Sequence, residues 1–291
     1  SSPYQAGACL DGTLSPMEAP CSKECFEFQA EIPPADASPD AEDVSVAVPL
    51  ALETLEGDSL EGSIIWDSSI LMARMLMDLS KYPHKFFRPE RRFLELGAGC
   101  GLLGLVAALR GARITITDIE SVLPRLRRNV ERNLSQLSER VPAVAEKLPR
   151  AMEAFENARV AKLDWTSFEE DLVALAEPAG DEGEPSRTCP PYDVVLATDC
   201  VYSESLAKPF LDTLLAVTGP DSIVLLGIRA RFGWQAGFLQ DLNEWFSGMP
   251  LQPEERHIAG LTQAEDMLAL RLRRRAPRAA AAAAETAAAP S

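Results

Sequence analysis

The stretch from residue 92 to 104, R-F-L-E-L-G-A-G-C-G-L-L-G, constrains this chain more tightly than any other, because an apolar run ends in three closely spaced glycines and then restarts as a helix. That pattern is a strand feeding a tight turn. Gly97, Gly99 and Gly101 put no Cβ in the way of a ligand, and the helix opening at Leu102 supplies backbone N–H donors to an electron-rich group. Such a turn binds a nucleotide-like cofactor. Its spacing departs from the dinucleotide fingerprint G-x-G-x-x-G, which needs glycine at 97, 99 and 102, since residue 102 is Leu. Asp118 ends the next strand, where an acidic side chain can accept both ribose hydroxyls. Dinucleotide enzymes place an acid at a similar distance, so Asp118 alone does not separate the two cofactor classes. The bland alternative is an ordinary strand-to-helix turn, which rarely needs three glycines.

Beyond the turn, strands and helices alternate, which implies a parallel sheet. Strands are expected over 93–96, 113–117, 160–163, 192–197 and 222–228. Helices are expected over 102–110, from Leu123 with Pro124 in its first turns, and over 168–176, 204–217 and 234–246. Upstream, Val44 to Val48 and Leu60 to Trp66 suggest a β-hairpin or an extended lead-in. A helix follows with apolar Ile70, Leu71, Met75 and Leu79, Asp67 or Ser68 as its N-cap, and an end before Pro83. Residues 136–158 read as a helix-compatible insertion, and 178–191, rich in Pro, Gly and acid, as a solvated loop.

A length of 291 residues with 46% hydrophobic content suits one α/β domain, placed at 43–275, with loose ends. Residues 1–42 hold one Lys and eight acids and are expected to be disordered or loosely docked. Residues 276–291 read as an Ala-rich disordered tail. A net charge of −16 argues against nucleic-acid partners, because phosphate binding needs a concentrated basic surface. Six cysteines show no disulfide framework, and Cys21 and Cys25 lack a neighbouring His, so no metal is expected. No apolar stretch reaches the length of a membrane span. A monomer in the cytoplasm fits these observations, although the chain begins at Ser, which leaves a removed targeting segment open.

Ligands in open α/β sheets sit beyond the carboxyl ends of the strands, so Asp199, Cys200, Val201 and Tyr202, just after the fourth strand, are the natural place for reaction chemistry. The run from Glu95 to Gly101 resembles the E/D-x-G-x-G-x-G of class I methyltransferases, whose S-adenosylmethionine carries no pyrophosphate. The string A-T-D-C-V-Y-S-E resembles the D-x-x-Y motif of methyltransferase family 16, the seven-β-strand protein-lysine methyltransferases. G-S-I-I-W-D at 62–67, L-D-W at 163–165 and the segment 117–133 are similar to further motifs of that family, so the resemblance covers about residues 60–272. Within the family it is closest to the branch that modifies Hsp70-type and valosin-containing-protein chaperones, through I-R-A-R-F at 228–232.

The resemblance implies a Rossmann-like α/β fold: a mainly parallel, twisted seven-stranded sheet flanked by helices, closed by an antiparallel C-terminal strand pair near 251–258 and 266–272. It implies S-adenosylmethionine as cofactor, held by Trp66, Glu95, Gly97, Ala98, Gly99, Asp118, Asp164, Trp165 and Ala197. It also implies a protein substrate presenting a lysine, with Asp199 and Tyr202 as the catalytic pair. A lysine amine attacks only when neutral, although its reference pKa is about 10.4. Asp199 could hold the incoming ammonium, and Tyr202 could wall the channel.

Blander readings accompany each of these residues. Asp199 could cap the next helix, Tyr202 could be a half-buried ring, Trp66 and Trp165 could be core, and Asp164 could serve a turn. Asn129 reads as a helix-surface residue, His84 and His257 as surface residues, and Cys200 as a small buried one. Arg229, Arg231 and Phe232 either shape the substrate channel or end a strand. Rival functions are a nicotinamide-type small-molecule N-methyltransferase and a non-catalytic cofactor-binding scaffold. A nucleic-acid adenine methyltransferase fits less well, because its N/D-P-P-Y/F motif is replaced by D-C-V-Y.

Overall fold

The computed structural model describes residues 25–34, 45–54, 62, 64–140, 148–175 and 190–275. Seven strands form one sheet: β3 (Arg92–Leu96), β4 (Arg113–Asp118), β5 (Arg159–Lys162), β6 (Tyr192–Thr198), β7 (Thr218–Arg229), β8 (Phe246–Pro250) and β9 (Met267–Arg274). Their order is β5-β4-β3-β6-β7-β9-β8, with the first five parallel and β9 antiparallel to both its neighbours. Between β3 and β6 the order reverses. That reversal opens a crevice at the carboxyl ends of the strands, where a ligand can lie without meeting a crossover.

The central strands read as unbroken apolar runs because both of their faces are covered. Side chains alternate across the sheet, so Val194 and Leu196 of β6 join one core while Val195 and Ala197 join the other. The first core contains α1 (Asp67–Met77), α2 (Leu102–Leu109), α3 (Leu123–Arg140) and α4 (Pro149–Glu156). On the other face lie α5 (Phe168–Leu175), α6 (Glu204–Val217) and α7 (Gln235–Trp245). Helix α2 is buried along its whole length, as its L-L-G-L-V-A-A-L sequence demands. Gly104 lets it lie close to the sheet, since a Cβ there would come within 2.8 Å of Ile116.

The expected disorder of residues 1–42 is corrected over residues 25–32. β1 (Cys25–Ile32) pairs antiparallel with β2 (Val46–Glu53). Phe28, Ala30 and Ile32 of one strand and Val48, Leu50 and Leu52 of the other face inward, covering the first core. The alternation F-E-F-Q-A-E-I carries this strand; its acids occupy only the outward face, and acid content alone hides that. The same pairing replaces the expected hairpin between 44–48 and 60–66, whose residues 55–61 lie outside the described ones.

Asn129 is likewise corrected, from surface residue to fully buried. Asn129 and Asn133 project from one face of α3 toward the edge of β2, accepting from the N–H groups of Glu53 at 2.7 Å and Ala51 at 2.9 Å. Their amide groups donate back to the carbonyls of the same two residues. Four helical residues rise about 6 Å and two strand residues about 6.7 Å, so the two periods match. A strand edge that would otherwise be exposed is closed by side-chain amides.

Three boundaries shift. The N-cap of α1 is Trp66, with Asp67 as a first-turn acid. The insertion 136–158 contains the end of α3 and all of α4, with 141–147 outside the described residues. The strand expected at 251–258 is β8 at 246–250, and 255–258 forms the short helix α8 (Glu255–Ile258). Gly248 and Pro250 disguise β8 as a loop, yet an edge strand tolerates both. The 276–291 tail and most of the 178–191 loop lie outside the described residues. Asn129→Ala is expected to lower stability by roughly 1–3 kcal/mol in urea denaturation, the cost of stranding buried backbone groups. An effect no larger than that of Asn157→Ala, an exposed site, would refute this role.

Candidate active site

A cavity of about 350 Å³ occupies the crevice, within the size range of small-molecule sites. Its floor is the glycine turn. Gly97 and Gly99 have φ of +62° and +56°, and a Cβ at Gly97 would lie 2.6 Å from the Cβ of Cys200 and 3.1 Å from the ring of Trp165. Three partners fix the turn: Asp118 Oδ2 accepts from Gly99 N–H at 2.7 Å, the Thr117 carbonyl accepts from Ala98 N–H at 3.0 Å, and Asn129 donates to the Cys100 carbonyl at 3.0 Å. The other oxygen of Asp118 accepts from Ile119 N–H. Burial raises the pKa of this carboxyl, against the lowering effect of those hydrogen bonds.

Nine of the residues expected at the site line this one cavity: Trp66, Gly97, Ala98, Gly99, Asp118, Asp164, Trp165, Asp199 and Tyr202. Glu95 and Ala197 do not line it, and both are corrected. Ala197 faces the second core, and Thr198 reaches the cavity wall instead, bonded to Ser69 at 2.7 Å. Glu95 is 2% exposed and lies behind the turn, facing Gly104 N–H in the first turn of α2. Burial pushes its carboxyl up to about 8.

Asp164 combines both of its readings. It lines the cavity while its Oδ1 accepts from the hydroxyl and N–H of Thr166, which hold its pKa below the usual carboxylate range. Trp165 packs edge-on against Phe210 with ring centres 5.1 Å apart. Its indole Nε1 is buried without a hydrogen-bond partner among the described residues. Burial drives the Cys200 thiol pKa upward, as an inert thiol requires.

Asp199 has φ of +46°, a left-handed conformation uncommon outside glycine. Its backbone N–H donates to Gly227 while its carboxylate accepts from Arg229 N–H at 2.7 Å and from the Arg231 guanidinium at 3.1 Å. These anchors turn the side chain back along the end of β7. Tyr202 is 43% exposed and Phe232 49%, and both line the same cavity. Arg231 also lines it, with its guanidinium carbon 4.6 Å from the centre of the Trp66 ring. Arg229 turns away to Thr262 and Gln263.

Sequence reasoning missed Ile64, Ile65, Ser69, Ile119 and Thr198 in the wall, and Gln235 behind it. Gln235 is 6% exposed and accepts from the N–H groups of both Arg231 and Phe232, so it fixes the loop after β7. Ile64 and Ile65 inside G-S-I-I-W-D, Thr198 beside Asp199 and Ile119 beside Asp118 carried a positional signal, whereas Ser69 and Gln235 carried none. His257 is corrected to a buried residue: its Nδ1 accepts from Glu254 N–H, and its Nε2 lies 3.2 Å from Asp78. It fastens α8 to the end of α1, away from the cavity. His84 is half-buried.

The donor set fits S-adenosylmethionine: a cradle that a Cβ would fill, an orphaned indole N–H in the wall and a carboxylate at the end of β4. A mainly parallel seven-stranded sheet with an antiparallel edge, bearing such a pocket where its strand order reverses, makes this a class I S-adenosylmethionine-dependent methyltransferase. Residues 47–148 and 180–245 match a family described as lysine methyltransferase. The chain is 32% identical to the protein N-lysine methyltransferase METTL21A of Danio rerio, over 64% of this chain and 68% of that one. It is 29% identical to METTL21A of Mus musculus with the same coverage, and 27% identical to the mouse protein-lysine methyltransferase METTL21E over 67% of each chain. The chain belongs to the lysine methyltransferase family.

Two outcomes follow from the floor of the cavity. Gly97→Ala forces a strained φ and a clash, and is expected to weaken S-adenosylhomocysteine binding roughly tenfold or more by calorimetry. Unchanged affinity would show that the turn can yield. Between an ordinary pKa of 4.5 and about 8, Glu95 keeps its proton in the folded chain and loses it in the unfolded one. Its stabilising contribution is therefore complete below 4.5, declines as pH rises toward 8, and is level above that. Glu95→Gln cannot ionise, so the stability difference from the parent should change across this window by on the order of 1 kcal/mol per pH unit. Denaturation at pH 5, 7 and 9 measures it, and a constant difference would contradict the raised pKa.

Proposed function

We propose that this methyltransferase acts on the lysine ε-amine of a protein substrate, as a monomer in the cytoplasm. The observation that carries the reading is the meeting, in one cavity, of the glycine cradle with Asp199 and Tyr202 from the end of β6. The relatives named as protein-lysine methyltransferases support it. S-adenosylmethionine supplies, when bound, a methyl carbon made electrophilic by its sulfonium.

The chain itself binds, orients and excludes water. Gly97, Ala98 and Gly99 would give the cofactor backbone contact, Asp118 would offer the ribose the lone pairs it does not spend on Gly99 and Ile119, and Asp164 and Trp165 would hold the adenine. Tyr202 and Phe232, exposed at the rim, offer flat apolar faces to the methylene stem of a lysine. Asp199, anchored by Arg229 N–H, sets the direction in which the nitrogen enters. The ε-ammonium must lose its proton before it attacks, and solvent water at the rim can take it. Orientation is the larger effect, since a near-attack geometry removes roughly 7–11 kcal/mol from a bimolecular barrier.

The net charge of −16 favours a basic protein segment over nucleic acid as partner. Incubation with tritiated S-adenosylmethionine and a protein extract should place label in lysine after acid hydrolysis. Asp199→Ala should cut that label by about a hundredfold or more, through lost orientation of the nitrogen, with S-adenosylhomocysteine affinity retained. Label confined to small metabolites would instead indicate a nicotinamide-type enzyme.

A further inference from the structure

Among the described residues, Arg231 is the one cationic side chain in the cavity wall. It is firmly held. Its guanidinium bonds Asp199 at 3.1 Å and lies over Trp66, its backbone N–H is fixed by Gln235, and its side chain is 28% exposed against 6% for Asp199. The expectation that Asp199 holds an incoming ammonium therefore meets an obstacle, because that carboxylate already carries a cation. From this pairing we infer that Arg231 neutralises Asp199 and thereby keeps the substrate lysine unprotonated in the cavity. The inference rests on the lysine-methyltransferase reading above and deepens it.

Two cations and one carboxylate cannot all be satisfied at the rim. Arginine does not give up its proton in proteins, with a pKa above about 12, whereas lysine does so near 10.4. Lysine is thus the partner that sheds charge. Without Arg231, Asp199 would stabilise the ammonium and raise its pKa. With Arg231 in place, the acceptor end carries no net charge, and an ammonium beside the guanidinium is disfavoured. Once its proton has gone to solvent water, the ε-nitrogen forms the N–C bond as the S–C bond of the donor breaks.

The other ionisable groups around this point leave that balance in place. Asp118 lines the cavity at the glycine turn and is bonded by two backbone N–H groups, and Asp164 is bonded by Thr166. Glu95 lies behind the turn, and burial raises the pKa of the Cys100 and Cys200 thiols. Arg229 and Asp67 face each other at 4.0 Å behind Asp199, Glu204 opens α6 on the solvent side, and the Tyr202 hydroxyl shares the rim.

The test compares the full chain with Arg231→Gln, Arg231→Met and Arg231→Lys. Initial rates of lysine-bound label are measured from pH 6 to 10 with saturating tritiated S-adenosylmethionine and a protein extract, alongside S-adenosylhomocysteine affinity. Arg231→Gln is expected to move the midpoint of the acid limb up by about one pH unit, losing roughly tenfold in rate at pH 7 and recovering it in alkali. Arg231→Lys should hold the original midpoint, and all variants should bind S-adenosylhomocysteine within about threefold of the parent. A rate depressed equally at every pH, or a faster Arg231→Gln at neutral pH, overturns the inference. Arg231→Met keeps packing on Trp66 without charge, and loss of S-adenosylhomocysteine binding in both neutral variants also overturns it, by making Arg231 part of the fold. A parent enzyme that labels no lysine at any pH removes the underlying reading and this inference with it. An unmoved midpoint in an active Arg231→Gln removes this inference alone.

Discussion

A backbone turn with positive φ at three glycines keeps its shape only if its N–H and C=O groups are satisfied from outside. Here the Asp118 carboxylate, the Thr117 carbonyl and the Asn129 amide supply those bonds from the neighbouring strand and from α3. Each also has a second partner. Asp118 bonds Ile119, Thr117 donates its hydroxyl to the Glu95 carbonyl, and Asn129 bonds β2. The floor of the cavity is thus tied to the sheet and to the covering hairpin. Disturbing any one tie is felt at the place where the cofactor must lie.

The electrostatics divide along the same cavity. At the glycine end, the Asp118 and Asp164 carboxylates line the cavity and are held by N–H and hydroxyl donors. Toward the rim, Asp199 is held by a backbone N–H and a guanidinium, which leaves a charge-balanced pair beside exposed aromatic rings. A positively charged donor and a nucleophile that must be neutral call for that difference. One end can remain anionic toward a ribose and a sulfonium, while the other must not trap an ammonium.

The sequence disclosed what depends on short-range pattern. Strands β3, β4 and β6 and helix α6 were legible because buried parallel strands are continuous apolar runs and helices keep a 3.6-residue period. The cavity floor was legible because glycine spacing maps directly onto a turn. What stayed hidden depends on distant partners. No local pattern tells that Asn129 meets a strand 76 positions upstream, that Glu95 points behind the turn, or that His257 is buried against Asp78. Asn129 looks polar and therefore solvated, and only the edge of β2 gives that amide somewhere to go. β8 was displaced because its Gly and Pro obey edge-strand rules, which can be applied only once the edge is known.

Asp199 shows why motif reading stops short of mechanism. Its place after β6 was evident, and its position in the cavity agrees with that. Its partners were not evident, because Arg229 and Arg231 come from the end of the next strand, 30 and 32 residues on. A left-handed backbone at a non-glycine residue persists only when its surroundings over-determine it. Here the N–H of Asp199 is fixed to Gly227 and its carboxylate to Arg229 and Arg231, so three bonds from one neighbouring segment impose the conformation. The conformation and the charge neutralisation consequently have one origin. Any change that frees the loop after β7, including the loss of Gln235, would release both together.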